Sequence, residues 1–135
     1  MDYKTVYTIC PFCGSACGVL LEVMEGRIEG VLPCKTNPVS RGNMCIKGWS
    51  ADEFIYSPER LNRPLLRKNG QLGEVEWGEA IEFVASRLKA IKTAHGADSI
   101  GALSSAKCTT EENYLFQKFM RTVIGTNNID HCARL

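Results

Sequence analysis

The stretch "YTICPFCGSACGVLLEV" places Cys10, Cys13 and Cys17 in a C-x2-C-x3-C spacing, and a fourth cysteine, Cys45, stands apart in "SRGNMCIKG". Thiolates are soft, charged donors suited to iron and zinc. Three of them in one short loop wrap a single centre, and Gly14 and Gly18 let the backbone turn closely past it. The fourth ligand has to come from elsewhere in the chain. Cys45, in a Gly/Asn-rich loop that can bend inward, is the first choice, and on spacing alone Cys34 competes with it. Zinc sites more often use two short pairs of ligands, whereas cubane iron–sulfur clusters accept three local ligands and one remote. Spacing therefore favours a [4Fe–4S] cluster and leaves zinc, or plain reduced cysteines, as alternatives.

A disulfide framework fits poorly. The chain has seven cysteines, so one would stay unpaired, and their clustering is of the metal-binding kind. The start "MDYKTVYTIC" lacks a basic segment followed by an apolar one, so no signal peptide is expected, and the reading is a cytoplasmic protein with reduced thiols. Sixteen basic residues against 15 acidic give a net charge of +1, with no basic stripe for nucleic acid. No apolar run approaches the roughly 18 residues of a membrane helix, so no direct membrane insertion is expected.

The rest of the chain divides in pattern. "KTVYTI" reads as a strand running into the cysteine loop, and "GVLLEVMEGRIEGVLP" as a hairpin turning near Gly26-Arg27. "CKTNPVSRGNMC" reads as loop, "KGWSADEFIY" as a short helix ending before Pro58, and Leu65–Arg67 as a short strand before an Asn-Gly turn. Beyond it, Ile81, Val84, Ala85, Leu88 and Ile91 recur at helical spacing, with Gly96 as the stop. "SIGALSS" reads as a strand and 110–124 as a second helix. Thr109 and Glu112 form its capping box and Gly125 its end. Its face of Leu115, Phe116, Phe119, Met120, Val123 and Ile124 is broad and asks for a large partner surface. The expected fold class is mixed α+β: a small antiparallel β module over 1–60, then the beginning of an α/β domain over 61–135.

Two further groups carry chemistry. Lys47 follows Cys45 by two residues, either as a solvated lysine or as a cation beside the centre. Ser104, Ser105 and Lys107 follow the "SIGALSS" strand, where ligands collect in open α/β sheets, and their hydroxyls and charge suit phosphate. Glu111 and Glu112, in the first turn of the next helix, cap well but are poor neighbours for a phosphate.

Taken together, "CPFCGSACG", "RGNMCIKG" and "ALSSAKCTTEENYLFQKFMRTVIGTNNIDHCAR" resemble the N-terminus of molybdopterin-dependent oxidoreductases, and within them the catalytic α subunit of formate dehydrogenases. The resemblance covers nearly the whole chain. It implies that Cys10, Cys13, Cys17 and Cys45 bind one [4Fe–4S] cluster and that Cys34 does not. It implies that Lys47 lies between cluster and pterin and helps electrons pass. It makes Ser105, Lys107 and Arg134 candidate cofactor-binding residues. Ser15-Ala16 departs from a family pair in which glycine is usually second, which should strain the loop slightly. Cys108, His131 and Cys132 are expected to be packing or supporting groups, and His95 a surface residue.

The implied activity is oxidation of formate to carbon dioxide at molybdenum or tungsten held by bis(pyranopterin guanine dinucleotide). Electrons leave through the cluster toward an iron–sulfur or flavin-containing electron-transfer subunit. The remainder of the alpha subunit is the other implied partner, and it carries the histidine and arginine that handle formate. The 135-residue chain alone is therefore expected to be inactive. Nitrate reductase, formylmethanofuran dehydrogenase and the large subunit of NADH dehydrogenase are the related alternatives. A non-catalytic iron–sulfur or zinc module is the alternative of another class.

In this family the position after the one matching Leu135 is the protein ligand of the active-site metal, either cysteine or selenocysteine. With the chain stopping one residue short of that ligand, the expectation is a selenocysteine at the next codon, read as a stop; an engineered fragment or a true premature stop is the alternative. Sequencing the gene past codon 135 checks this. UGA followed by a long frame opening with a histidine codon is the expected result, and UAA or UAG would remove the idea.

Overall fold

The computed structural model describes residues 2–132. Among them, one compact unit comprises residues 2–60, 104–116 and 131–132, and a second comprises 61–103 and 117–130. The first unit thus takes in a segment from the last third of the chain as well as its N-terminal residues.

In the first unit β1 (Tyr3–Ile9), β2 (Gly18–Met24) and β3 (Arg27–Pro33) form an antiparallel sheet in that order. The β1–β2 register runs from Tyr3↔Met24 to Ile9↔Gly18, so the cysteine loop is the connection between two paired strand ends. The β2–β3 turn is Glu25-Gly26, one residue earlier than the sequence suggests. Both residues have positive φ (49° and 79°), as a two-residue hairpin with a right-handed twist requires. The core is small: Cys10, Val19, Val31 and Ala51 are buried, with Phe12, Cys17, Leu21 and Met44 packed against them. The cysteine loop is therefore part of the core. The helix expected over "KGWSADEFIY" is shorter than that stretch. Only Ile46–Trp49 (α1) is helical, and the chain continues in turns. That segment still packs inward, with Phe54 edge-on to Phe12 and the Tyr56 hydroxyl accepting the Ile28 N–H.

In the second unit β4 (Leu65–Lys68) and β5 (Gln71–Glu74) form the Asn-Gly hairpin, with Asn69 and Gly70 at φ 51° and 84°. The long helix α2 (Trp77–His95) follows, and Gly96 at φ 82° stops it. β6 (Ala102–Ser104) pairs with β7 (Ile129–His131), a strand the sequence pattern does not announce. Its three residues are too few for a visible alternation. The helix expected over 110–124 is α-helical only for Thr110–Phe119 (α3) and closes as a π turn over Met120–Ile124. The Met120 carbonyl accepts the Gly125 N–H at 2.8 Å, and Gly125 takes the left-handed conformation that ends the helix.

The apolar stripe of α2 forms as its spacing predicts, yet no residue of that helix is buried. Trp77, Ile81, Val84 and Leu88 instead line an open groove of about 570 Å³ with Phe119 and Val123. Exposed apolar surface on this scale is uncommon on a self-sufficient domain. The chain on its own should therefore enhance the fluorescence of a hydrophobic dye, and Ile81→Glu with Val84→Glu should lower that signal. A monodisperse parent with no dye response would contradict this.

Candidate metal centre

Cys10, Cys13, Cys17 and Cys45 line one cavity of about 240 Å³ in the first unit, together with Lys47 and Lys107. Local structure explains how they meet. The Cys10 N–H donates to the Cys17 carbonyl at 2.8 Å and closes the loop where β1 and β2 part. Ala16 takes φ 50°, a left-handed conformation that costs a residue with a Cβ about 1–2 kcal/mol. This is the position where the resembled family usually has glycine, so the departure noted in the sequence is where the backbone carries its strain.

Cys45 is brought in by the loop 34–45, which Asn37 organises. The buried Asn37 side chain accepts hydrogen bonds from the N–H groups of Val39 (3.0 Å) and Ser40 (2.7 Å), and donates to the Tyr7 hydroxyl on β1 (3.0 Å). Ser40 Oγ in turn accepts the Gly18 N–H at 3.2 Å. Gly18 has to be glycine: a Cβ there would stand 2.5 Å from the Asn37 Cβ. This bracket fixes the loop beside Cys17. Cys45 then forms the N-cap of α1. Gly48 follows as a buried residue whose added Cβ would meet Met44 at 2.3 Å.

The electrostatics match a gathered thiol set. Burial pushes the Cys17 thiol up, and the other three cysteines push it further. The Gly48 and Lys47 N–H groups at the start of α1 hold Cys45 below the usual thiol range, with the Lys47 charge adding to them. Hydrogen bonds with Ser15 lower Cys13, and the charges of Lys107 and Lys47 act in the same direction.

Among the described residues, no three Cys, His, Asp or Glu side chains are gathered closely enough to hold a single metal ion. Thiolates of a cubane bond four different irons, so their sulfurs surround a larger body. Four thiols spread around one cavity, with Lys47 and Lys107 as counter-charge, fit such a body better than one zinc.

The remaining candidates stand elsewhere. Cys34 is buried, does not line this cavity, and pairs with Thr36 Oγ1 at 3.2 Å. Ser105 uses its hydroxyl locally, accepting the Lys107 N–H at 3.0 Å and contacting Cys132 Sγ at 3.5 Å. Ser104 donates to Asn113. Cys108 sits in a turn closed by its own N–H to the Ser105 carbonyl. His95 ends α2 in an exposed position. Arg134 lies outside the described residues. The presence of Lys107 in the cysteine cavity was not legible in the sequence, because it depends on a segment that returns to the first unit from about sixty residues after Cys45.

Residues 3–57 match the model of the molybdopterin oxidoreductase Fe4S4 domain, and residues 60–135 match that of molybdopterin oxidoreductase. The chain belongs to the molybdopterin oxidoreductase family. Its cofactors are accordingly an Fe4S4 cluster and molybdopterin. This molybdopterin oxidoreductase chain is 49% identical over 135 residues to the alpha subunit of F420-dependent formate dehydrogenase 1 of Methanococcus maripaludis, and 47% identical to the F420-dependent formate dehydrogenase alpha subunit of Methanocaldococcus jannaschii. It is 43% identical over 131 residues to a putative formate dehydrogenase of Bacillus subtilis. All of the chain is covered in the first two matches, but only 19% of each relative, and 97% and 13% in the third. The chain thus spans less than a fifth of the relatives it matches. Among solved structures, acetylene hydratase from Pelobacter acetylenicus superposes with a TM-score of 0.73 at 24% identity, covering 95% of this chain and 18% of that one, which establishes a shared fold.

In this molybdopterin oxidoreductase the Asn37 bracket generates a test. Asn37→Ala leaves buried N–H groups unsatisfied and should cost about 1–3 kcal/mol in chemical denaturation. It should also lower the iron content of reconstituted protein, because Cys45 loses its anchored loop.

Proposed function

We propose that this chain is the N-terminal, electron-transfer portion of a formate dehydrogenase alpha subunit, a cytoplasmic enzyme that oxidises formate to carbon dioxide. The observation that carries the proposal is the cavity with four cysteines and two lysines in its lining, in a chain nearly half identical to two formate dehydrogenase alpha subunits. Oxidising formate to carbon dioxide releases one proton and two electrons. When bound, the cluster supplies one-electron transfer, which splits that pair on its way to an acceptor.

The chain's own residues prepare the site. Cys10, Cys13, Cys17 and Cys45 are the four ligands, and Ser15 and the first N–H groups of α1 stabilise thiolate at Cys13 and Cys45. The buried Cys10 and Phe12, which packs edge-on to Phe54, form part of the cavity lining. Lys47, on α1 two residues after Cys45 and in the lining of the same cavity, is the cation that would help electrons pass between cluster and pterin. The remainder of the polypeptide supplies the rest of the pterin site and the groups that handle formate. An iron–sulfur or flavin-containing subunit accepts the electrons. Among the described residues no helix is long and apolar enough to cross a membrane.

Anaerobic reconstitution with iron and sulfide tests the ligand set. The chain should take up about four irons and four sulfides and show broad visible absorption that dithionite bleaches. Cys10→Ser and Cys45→Ser should abolish that absorption, and Cys34→Ser should retain it. A colourless chain holding one zinc, or loss of the cluster in Cys34→Ser with retention in Cys45→Ser, would sink the assignment. Formate oxidation should be absent from the 135-residue chain and present in the whole subunit.

A further inference from the structure

We propose that Lys107 is a second fixed cation of the iron–sulfur site, supplied by the loop after β6, and that it raises the reduction potential of the cluster. The inference rests on the reading of the cysteine cavity as the cluster site. It concerns a residue that the cysteine motif does not contain.

The geometry places Lys107 and its neighbour Ala106 in the lining of the same cavity as the four cysteines. Among the described residues, Lys47 and Lys107 are the charged side chains of that lining apart from the thiols, and no carboxylate is among them. Lys47 arrives there because it is next to Cys45 in sequence. Lys107 arrives only because tertiary structure brings its loop to the same place.

That loop is held from several directions. Asn113 Nδ2 donates to the carbonyls of Ser105 (3.1 Å) and Thr109 (3.0 Å), tying both ends of the loop to α3. The Lys107 N–H is taken by Ser105 Oγ, and the Ala106 N–H points to Cys132 Sγ at 3.4 Å. The capping box closes the far side: the Thr109 N–H donates to Glu112 Oε2 at 2.7 Å and the Glu112 N–H to Thr109 Oγ1 at 3.3 Å. Glu112, an acidic candidate to neutralise Lys107 from the same segment, is thereby committed to the helix end. Among the described residues no carboxylate forms an ion pair with Lys107. The cysteine loop also meets this segment directly, since a Cβ on Gly14 would stand 3.0 Å from Thr110 Oγ1.

Reduction adds one negative charge to an assembly already carrying four thiolates. A nearby cation stabilises the reduced form more than the oxidised form, and net charge around a cluster is one of the terms that set its potential. Lys107 is exposed, so its effect is open to screening by salt. Its charge already acts on the Cys13 thiol, after the larger contribution of Ser15.

The test is a redox titration of the reconstituted chain, followed by the electron paramagnetic resonance signal of the reduced cluster. Parent, Lys107→Gln and Lys107→Arg are compared at low and high ionic strength. Lys107→Gln should titrate at a more negative potential than the parent, and Lys107→Arg close to the parent. The difference should shrink as salt rises. A Lys107→Gln cluster at the parent's potential, or a Lys107→Arg cluster shifted as far as Lys107→Gln, overturns the role. If Lys107→Gln assembles no cluster while Lys107→Arg does, the charge is needed even for assembly, which supports it. Failure of both to assemble a cluster that the parent holds overturns it. A parent that binds no iron and sulfide would instead remove the cluster reading itself, and the two failures are told apart by the parent's iron content.

Discussion

Four thiols facing one small cavity repel one another as soon as they ionise, and the first unit is organised around that repulsion. Cys17 shows it most plainly: burial and the three other cysteines all resist its charge. The compensation comes from short-range donors and from lysines. Ser15 acts on Cys13, the opening N–H groups of α1 act on Cys45, and Lys47 and Lys107 bring charge to the cavity. Hydrophobic burial alone would not gather these groups, because the core beneath them is only a few side chains deep. What fixes them is polar: the Cys10–Cys17 backbone bond and the Asn37 bracket, both anchored in the sheet.

The second unit depends on a different balance. Its hairpin and helix form from local signals, with Asn69-Gly70 and Gly96 in the conformations their types favour. The side chains that should pay back that ordering remain largely uncovered. Ile81 is 61% and Trp77 65% exposed. Specific polar contacts supply part of the cohesion instead. Lys92 donates to the Val123 carbonyl at 2.9 Å, and Thr126 donates to Asp98 at 2.6 Å.

Much of this was legible in the sequence, and the reasons are local. Turn residues marked both hairpins, helical spacing marked α2, and the Thr109–Glu112 pair marked the start of α3. The cysteine spacing indicated a centre and the Gly/Asn-rich loop favoured Cys45 as fourth ligand, although only the family resemblance set Cys34 aside. The misses are of another kind. The π turn at Met120 depends on a carbonyl shared by Gly125 and Thr126, and spacing cannot show it. β7 is too short to carry a pattern. Ser105 and Lys107 read as phosphate groups because they follow a strand; the structure adds that Ser105 shapes the loop and that Lys107 lines the cysteine cavity, which needed the tertiary fold to see.

The return of residues 104–116 to the first unit has a consequence for biosynthesis. All four cysteines leave the ribosome well before Lys107 and the start of α3 can join them. At typical elongation rates the interval is roughly 3–12 s. During that time the nascent cavity has its thiols and Lys47 but lacks one wall and one of its two cations. A cluster delivered in this interval would enter a half-built site, whereas one delivered after α3 emerges would meet a closed set of charges. The order of translation therefore favours metal loading as a late event, coupled to completion of α3 and not to completion of the cysteine motif.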